Sequence, residues 1–248
     1  MRLPHVLGVV GGAALMCATA VAAQQAAQRD QVLSSYEIVP EPTAQVAQPP
    51  TVEEVRQRPS RDAHAAAVDP RWARRTATAA GIPLPALTAY ARASMLAPEG
   101  CRIGWTTLAG IGWVESQHGT IGDRTLGRDG HSSRPILGPA LDGRDFAAVP
   151  STPESATWHG DAKWDHAVGP MQFIPSTWHT WRADGDGDGV ADPNDIDDAA
   201  RAAAGYLCRS GDLMSGDTWS RAIFSYNHSA DYVLNVYSAA DTYAGRTS

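Results

Sequence analysis

A single carboxylate, Glu115, lies among apolar residues at helical spacing. Leu108 and Ile111 precede it by seven and four residues, so all three share one face of a predicted helix over residues 103–118. A carboxyl group on an apolar face is partly removed from water, which raises its pKa towards the range useful for proton transfer. Glu115 is therefore a candidate acid and base. The alternative is a solvent-facing glutamate at a helix end.

A second group of acidic residues lies in the segment DGDGDGVADPND. Its oxygen donors stand at positions 1, 3, 5, 7 and 12 of an EF-hand calcium loop, and they belong to Asp184, Asp186, Asp188, Val190 (through its carbonyl) and Asp195. Gly189 occupies position 6, where such loops turn sharply. The pattern predicts a structural Ca²⁺ ion, and the alternative is a solvated acidic turn. Asp195 departs from the usual glutamate at position 12, and its shorter side chain reaches less far towards an ion.

Three short motifs occur in order along the chain: ES at residues 115–116, GPMQ at residues 169–172 and SYN at residues 225–227. With the stretch WDHAVGPMQFIPSTW and the acidic loop, they make residues 70–245 resemble the lytic murein transglycosylases of the lysozyme-like superfamily. The resemblance is closest to the membrane-bound lytic transglycosylase B group and its secreted relatives, which also carry an EF-hand-like calcium site. Pro170 and Ser225 depart from the residues common in the family, and neither departure removes a catalytic group.

The resemblance implies a reaction and a set of site residues. Glu115 would protonate the oxygen of the β-1,4 bond between N-acetylmuramic acid and N-acetylglucosamine, and would then take the proton of the muramyl C6 hydroxyl as a 1,6-anhydro ring closes. Substrate contacts are implied for the other motif residues, which are Ser116, Met171, Gln172, Tyr226 and Asn227. Tyr226 would in addition orient the Glu115 carboxyl. From the residues alone, Gln172 fits a turn cap and Tyr226 fits ordinary core equally well.

Two rival functions stay open. The first rival is a hydrolytic muramidase. Most glycosidases that use water need two carboxylates, so this reaction would require a second one beside Glu115. The glutamates after residue 69 are Glu99, Glu115 and Glu154. The aspartates in or beside the long central segment that remain candidates are Asp123, Asp161 and Asp165. The other rival is a non-catalytic, calcium-stabilised cell-wall-binding protein, and the complete set of motifs argues against it.

The elements that must position these groups are helices. Helical spacing and end signals predict helices from Asp69-Pro70, from Pro85, around Glu115, from Pro175, through the alanine-rich stretch to Leu207, and twice more after Gly211. Residues 120–168, rich in Gly, Pro and Asp, predict a long irregular insertion without elements of its own. The predicted fold class is all-α, a lysozyme-like transglycosylase domain over residues 69–245 with this insertion and an EF-hand-like loop.

The segments before the domain predict export. Residues 1–23 combine a basic Arg2, an apolar run and small residues before a cleavage point, as a signal peptide does, and an uncleaved anchor is the alternative. Residues 24–68, rich in Gln, Ala and Pro, predict a disordered linker. Processing leaves Cys101 and Cys208, and two cysteines in an oxidising compartment favour a disulfide over separate buried thiols.

Charge limits the partners. The formal net charge is −7 at pH 7, without a long cluster of Lys and Arg, which argues against nucleic acid and anionic lipid as partners. The expected partner is the glycan strand of peptidoglycan. The mature chain is expected to be a secreted, cell-wall-associated monomer without a membrane span.

Overall fold

The computed structural model describes residues 67–144 and 147–248, so the predicted signal peptide and nearly all of the predicted linker lie outside the described residues. The helices are α1 (Pro70–Ala80), α2 (Leu84–Met95), α3 (Trp105–Ser116), α4 (Ala156–His159), α5 (Pro175–Trp181), α6 (Ile196–Cys208), α7 (Gly216–Tyr226) and α8 (Ala230–Thr247). Two short strands, β1 (Leu137–Ala140) and β2 (His166–Val168), complete the described elements. This predominance of helix confirms the predicted all-α class. No described helix combines the length and the apolar character needed to cross a membrane.

Helix α3 is the centre of the core. It packs against α8 and α2, and nine of its twelve residues are buried. The neighbours approach so closely that a β-carbon at Gly110 would lie 2.7 Å from the Val236 carbonyl oxygen, and one at Gly112 would lie 1.9 Å from the Tyr90 hydroxyl. The two glycines therefore permit the close approach of α8 and α2 to α3. This packing fixes the position of Glu115 in the last turn of α3.

The predicted helix over residues 103–118 is shorter in the structure, because Gln117 and His118 both adopt positive φ angles, 53° and 61°. Such angles end a right-handed helix. The buried His118 ring lies between two hydroxyls, with Nδ1 3.1 Å from the oxygen of Tyr90 and Nε2 2.8 Å from that of Tyr243. Burial lowers the pKa of His118 to about 3. A neutral imidazole thus links the end of α3 to α2 and α8.

The prediction that residues 120–168 lack elements of their own is wrong. Strands β1 and β2 pair antiparallel, with Leu137 opposite Val168 and Ala140 opposite His166, and α4 lies between them in the chain. Asp165 holds α4 against β2, since it accepts a hydrogen bond from the Ser155 hydroxyl and lies 3.2 Å from His159 Nε2. The strands are too short for an alternating pattern to be recognised, and their pairing joins residues about thirty positions apart, so local periodicity did not reveal them.

A disulfide joins Cys101, which precedes α3, to Cys208 at the end of α6, as the sequence predicts. The bridge spans a sequence separation of 107 residues. In the chain-entropy account, closing a loop of this length destabilises the unfolded chain by about 4 to 5 kcal/mol.

Candidate active site

A groove of about 700 Å³ opens at the C-terminal end of α3. The insertion contributes an apolar part of its lining, formed by Pro139, Leu141, Ala147, Val149 and Ala167. The polar part comes from helix ends and turns, and consists chiefly of Glu115, Gln172, Tyr226, Asn227 and His228. Five residues of the sequence motifs are thus brought together although more than a hundred positions separate the first from the last, and they are Glu115, Gln172, Ser225, Tyr226 and Asn227. A polar cluster facing an apolar wall is the usual composition of a small-molecule or oligosaccharide site.

Glu115 lies in the last turn of α3 and is half-buried. The Tyr232 hydroxyl donates a hydrogen bond of 2.6 Å to its Oε1 atom. Burial raises the pKa of Glu115 to about 7, and the hydrogen bond from Tyr232 acts in the opposite direction by favouring the carboxylate. A carboxyl with this pKa is present in both protonation states near neutral pH, as a group that first donates and then accepts a proton requires.

The hydrogen bond to the Glu115 carboxyl comes from Tyr232 and not from Tyr226, for which the orienting role was predicted. The Tyr226 hydroxyl donates to the Met171 carbonyl at 2.8 Å, and its ring lies parallel to that of Tyr232 at a centroid distance of 6.4 Å. Tyr226 therefore supports Tyr232 and the turn at Met171, and Tyr232 contacts Glu115. In the sequence, Tyr232 is one of several aromatic residues on the apolar face of the last helix, and no local signal separates it from them.

Gln172 lies at the groove in a strained turn, with a φ angle of 50°. Its side-chain amide nitrogen donates to the carbonyls of Gly169, at 2.9 Å, and Ile136, at 3.3 Å. The side-chain nitrogen of Gln172 thus caps backbone carbonyls of the turn, as one of the two interpretations of this residue predicts. Its Oε1 atom accepts no hydrogen bond from the described residues, which leaves an acceptor for a ligand at the groove.

Two predicted substrate contacts do not face the groove. Ser116 and Met171 are both 0% exposed. The Ser116 hydroxyl donates to the Pro170 carbonyl at 2.6 Å and accepts a hydrogen bond from the backbone N–H of Gly119, so it ties α3 to the GPMQ turn. Consecutive helical residues point about 100° apart, which turns Ser116 into the core when Glu115 faces the groove. Asn227, in contrast, is exposed at the end of α7 and lines the groove.

Among residues 67–144 and 147–248, Glu115 is the single carboxylate that lines the groove. Asp165 is buried against Ser155 and His159. Asp161 is held by the backbone N–H groups of residues 163 and 164 and lies 3.3 Å from His166 Nε2, and these contacts lower its pKa to about 2. Asp123 is exposed and is absent from the groove lining. None of the three aspartates named as a possible second carboxylate therefore reaches Glu115 through the groove.

The acidic loop brings three of its predicted ligands together. One carboxylate oxygen each of Asp184, Asp186 and Asp188 lie within 4.8 Å of one another. Clustered carboxylate oxygens are hard donors of the kind that Ca²⁺ prefers, so this part of the loop fits the ion. The loop is shaped for the cluster by hydrogen bonds from the backbone N–H groups of Gly187 and Gly189 to the two oxygens of Asp184.

Asp195 stands apart from this cluster. Its Oδ1 atom accepts a hydrogen bond of 2.8 Å from the backbone N–H of Asp197, as the N-cap of α6. Burial raises the pKa of Asp195 to about 6.

The loop also touches the groove's framework, since a β-carbon at Gly169 would lie 1.8 Å from the Pro193 carbonyl oxygen. Only glycine permits this contact between the acidic loop and the turn that carries Gln172.

Comparisons with known proteins find a similarity to transglycosylases over part of the chain. A search of curated proteins finds no significant match. Among solved structures, the Escherichia coli lytic transglycosylase Slt35 in complex with bulgecin A matches with a TM-score of 0.45 and 16% sequence identity, over 81% of this chain and 86% of that chain. That similarity is too low for a conclusion about fold or activity. Residues 157–223, about a quarter of the chain, match the family described as Transglycosylase SLT domain. The chain is therefore similar to transglycosylase SLT domains through the segment that holds Gln172 and the acidic loop.

Proposed function

We propose that the chain is a lytic transglycosylase that cleaves the β-1,4 bond between N-acetylmuramic acid and N-acetylglucosamine in peptidoglycan and leaves 1,6-anhydro ends. The observation that carries the proposal is the environment of Glu115, a half-buried carboxyl with a raised pKa in a groove where no other described carboxylate is present. The match of residues 157–223 to the transglycosylase SLT family supports the same reaction class.

The reaction uses one carboxyl twice. In the first step, protonated Glu115 donates its proton to the glycosidic oxygen, the bond from that oxygen to C1 breaks, and the hydroxyl of the leaving sugar is formed. In the second step, the muramyl C6 oxygen bonds to C1 and its proton passes to the Glu115 carboxylate. The acid is regenerated and no water is consumed. A hydroxyl already held beside C1 has the advantage of proximity over a mobile water molecule.

The product distinguishes this reaction from hydrolysis. Digestion of purified peptidoglycan should release muropeptides lighter by one water, about 18 daltons, than those from a hydrolytic muramidase, because ring closure replaces addition of water. Mass spectrometry before and after borohydride reduction measures this, since anhydro ends are not reducible. A muramidase digest supplies the reference for hydrated ends.

A digest that contains only hydrated, reducible ends would replace the proposal with a muramidase. A second carboxylate would then be required in addition to Glu115.

The pH dependence of cleavage should report the raised pKa of Glu115. The proton-donating form is lost as the pH rises through about 7, so kcat/KM should fall on the alkaline side with a midpoint near 7, well above the ordinary glutamate pKa of about 4.3. Tyr232→Phe removes a hydrogen bond that favours the carboxylate, so its midpoint should move to higher pH. Tyr226→Phe is the matched control, because it removes a hydroxyl bonded to Met171 and leaves the midpoint in place. A downward shift in Tyr232→Phe, or equal shifts in both variants, contradicts the assignment of Tyr232.

We further propose that the acidic loop binds a structural Ca²⁺ ion. Asp184, Asp186 and Asp188 would hold it through their side chains, and Val190 would add its backbone carbonyl as a fourth donor. Asp195, which caps α6 through one oxygen and has the other 3.7 Å from His131 Nδ1, would supply position 12 only after this second oxygen turns towards the ion. A bound ion would neutralise carboxylates that repel one another. The contact of Pro193 with Gly169 would pass this stabilisation to the side of the groove that carries Gln172.

Export and a monomeric state belong to the same proposal. The signal-like residues 1–23 support secretion to the cell wall. The Cys101–Cys208 disulfide supports an oxidising compartment.

A further inference from the structure

A second depression, of about 640 Å³, lies between α3 and α8. Its lining includes Trp113, Val114 and Gln117 from the end of α3, and Asn235, Thr242 and Arg246 from α8. It shares no lining residue with the groove. At 100° per residue, its α3 residues are centred about 150° around the helix from Glu115, so the two sites face opposite sides of α3.

The depression has an aromatic edge open to solvent. Trp113 is 47% exposed, although its ring also packs against the buried His118 at a centroid distance of 5.8 Å. Tyr243, at the base of the depression, is held by a hydrogen bond between its hydroxyl and Nε2 of the buried His118 at 2.8 Å. An exposed aromatic face whose other side packs against buried residues is suited to contact with a ligand.

The polar groups around Trp113 are neutral and open. The side-chain amides of Gln117 and Asn235 make no hydrogen bond to any described residue. None of the described residues that line the depression is acidic, although the whole chain carries a net charge of −7. Arg246 is its charged residue, and one of its guanidinium nitrogens donates to the Ala80 carbonyl at 2.9 Å.

We propose that this depression binds an oligosaccharide of N-acetylated amino sugars, so that the protein holds its polymer at a second place away from the groove. The apolar C–H face of a pyranose ring stacks on an exposed indole, and amide side chains pair with its acetamido and hydroxyl groups. Neutral sugars also suit the described lining, in which the open polar groups are the amides of Gln117 and Asn235 and the charged residue is Arg246. The choice of polymer rests on the proposed function, since a glycan strand presents the same sugars repeatedly.

A second site changes how the protein handles long substrates. Two weak contacts to one strand or to neighbouring strands raise the apparent affinity for the polymer, because the second contact forms at high effective concentration. A short soluble substrate that occupies the groove alone gains nothing. Loss of the second site should therefore weaken binding to intact peptidoglycan by about tenfold or more and leave turnover of a short substrate unchanged.

Binding is tested directly with the N-acetylglucosamine tetramer as the probe and the Glu115→Gln variant as the protein. Titration followed by NMR should shift the indole N–H signal of Trp113 in a saturable way, with the signal identified by its loss in Trp113→Phe. Asn235→Ala should weaken this shift without touching α3. A Trp113 signal that stays in place to millimolar tetramer, while signals of the groove move, overturns the proposal. A shift caused by stem peptide and absent with the tetramer also overturns it.

The functional test compares two substrates. Trp113→Ala and Asn235→Ala should each reduce sedimentation with intact peptidoglycan and its degradation, and should cleave a short glycan fragment at the wild-type rate. Leu84→Ala is the matched control, because Leu84 is 40% exposed and lies outside the depression. Equal losses on both substrates indicate a structural effect and contradict a second site. The tetramer titration measures binding and needs no cleavage. Its result can therefore be interpreted even if the proposed catalytic function is wrong.

Discussion

The Glu115→Gln variant is expected to lose glycan cleavage by about a thousandfold or more, in line with the removal of a general acid whose carboxylate is also the base. Glutamine keeps the shape of the side chain, and its amide oxygen can still accept the hydrogen bond from Tyr232. The groove should therefore stay assembled while the transferable proton is lost. Release of soluble muropeptides from purified peptidoglycan, measured over time, gives the rate.

The matched control for this variant is Glu154→Gln. Glu154 is exposed, with 55% of its side chain accessible, and does not line the groove, so the variant should cleave at the wild-type rate. Equal melting temperatures of Glu115→Gln and wild type exclude a folding defect. Retention of more than a few per cent of wild-type activity, in a preparation free of contaminating lysozyme, would remove Glu115 from the mechanism.

Removal of Ca²⁺ is expected to lower the melting temperature by several degrees. An ion present at a hundred times its Kd stabilises the folded state by about 2.7 kcal/mol, which for a domain of this size corresponds to about 5 to 10 °C. Thermal unfolding followed by circular dichroism, with chelator, with added Ca²⁺ and with Ca²⁺ restored after chelation, measures the effect.

The double variant Asp184→Ala, Asp186→Ala should have the same melting temperature in every one of these conditions, close to that of the chelated wild type, because it lacks two of the clustered carboxylates that would hold the ion. Asp241→Ala, on the exposed side of α8, should respond to Ca²⁺ like the wild type. Superimposable melting curves of the wild type with and without chelator would reduce the loop to a solvated turn.

Local patterns were sufficient for the helices and for single candidate residues. The α1 helix begins where Asp69 caps the N–H groups of Arg71 and Trp72, and helical spacing placed Glu115 on an apolar stripe. Capping and periodicity act between residues a few positions apart, so the sequence displays them directly. The aspartates of the acidic loop were found for the same reason.

The composition of the groove depended on contacts that no local pattern encodes. The apolar wall comes from an insertion for which local patterns predict no elements, since its strands are short and pair across a long stretch of chain. Ser116 and Met171 were placed at the substrate by their motifs, and packing buries both. Whether a motif residue faces a ligand or the core is decided by the orientation of its element against its neighbours.

By itself, the sequence determined the helical fold class, the acidic loop and the candidate carboxylate, because each follows from residue type and short-range spacing. It also determined the disulfide pair, because only two cysteines follow the signal-like segment. Only the tertiary structure decided that Tyr232 holds Glu115, that no other described carboxylate shares the groove, and that Trp113 borders a second depression. The Tyr232 to Glu115 hydrogen bond joins residues 117 positions apart. It exists because Gly110 lets α8 approach α3 closely, and such an approach is a property of two packed helices and of neither sequence segment alone.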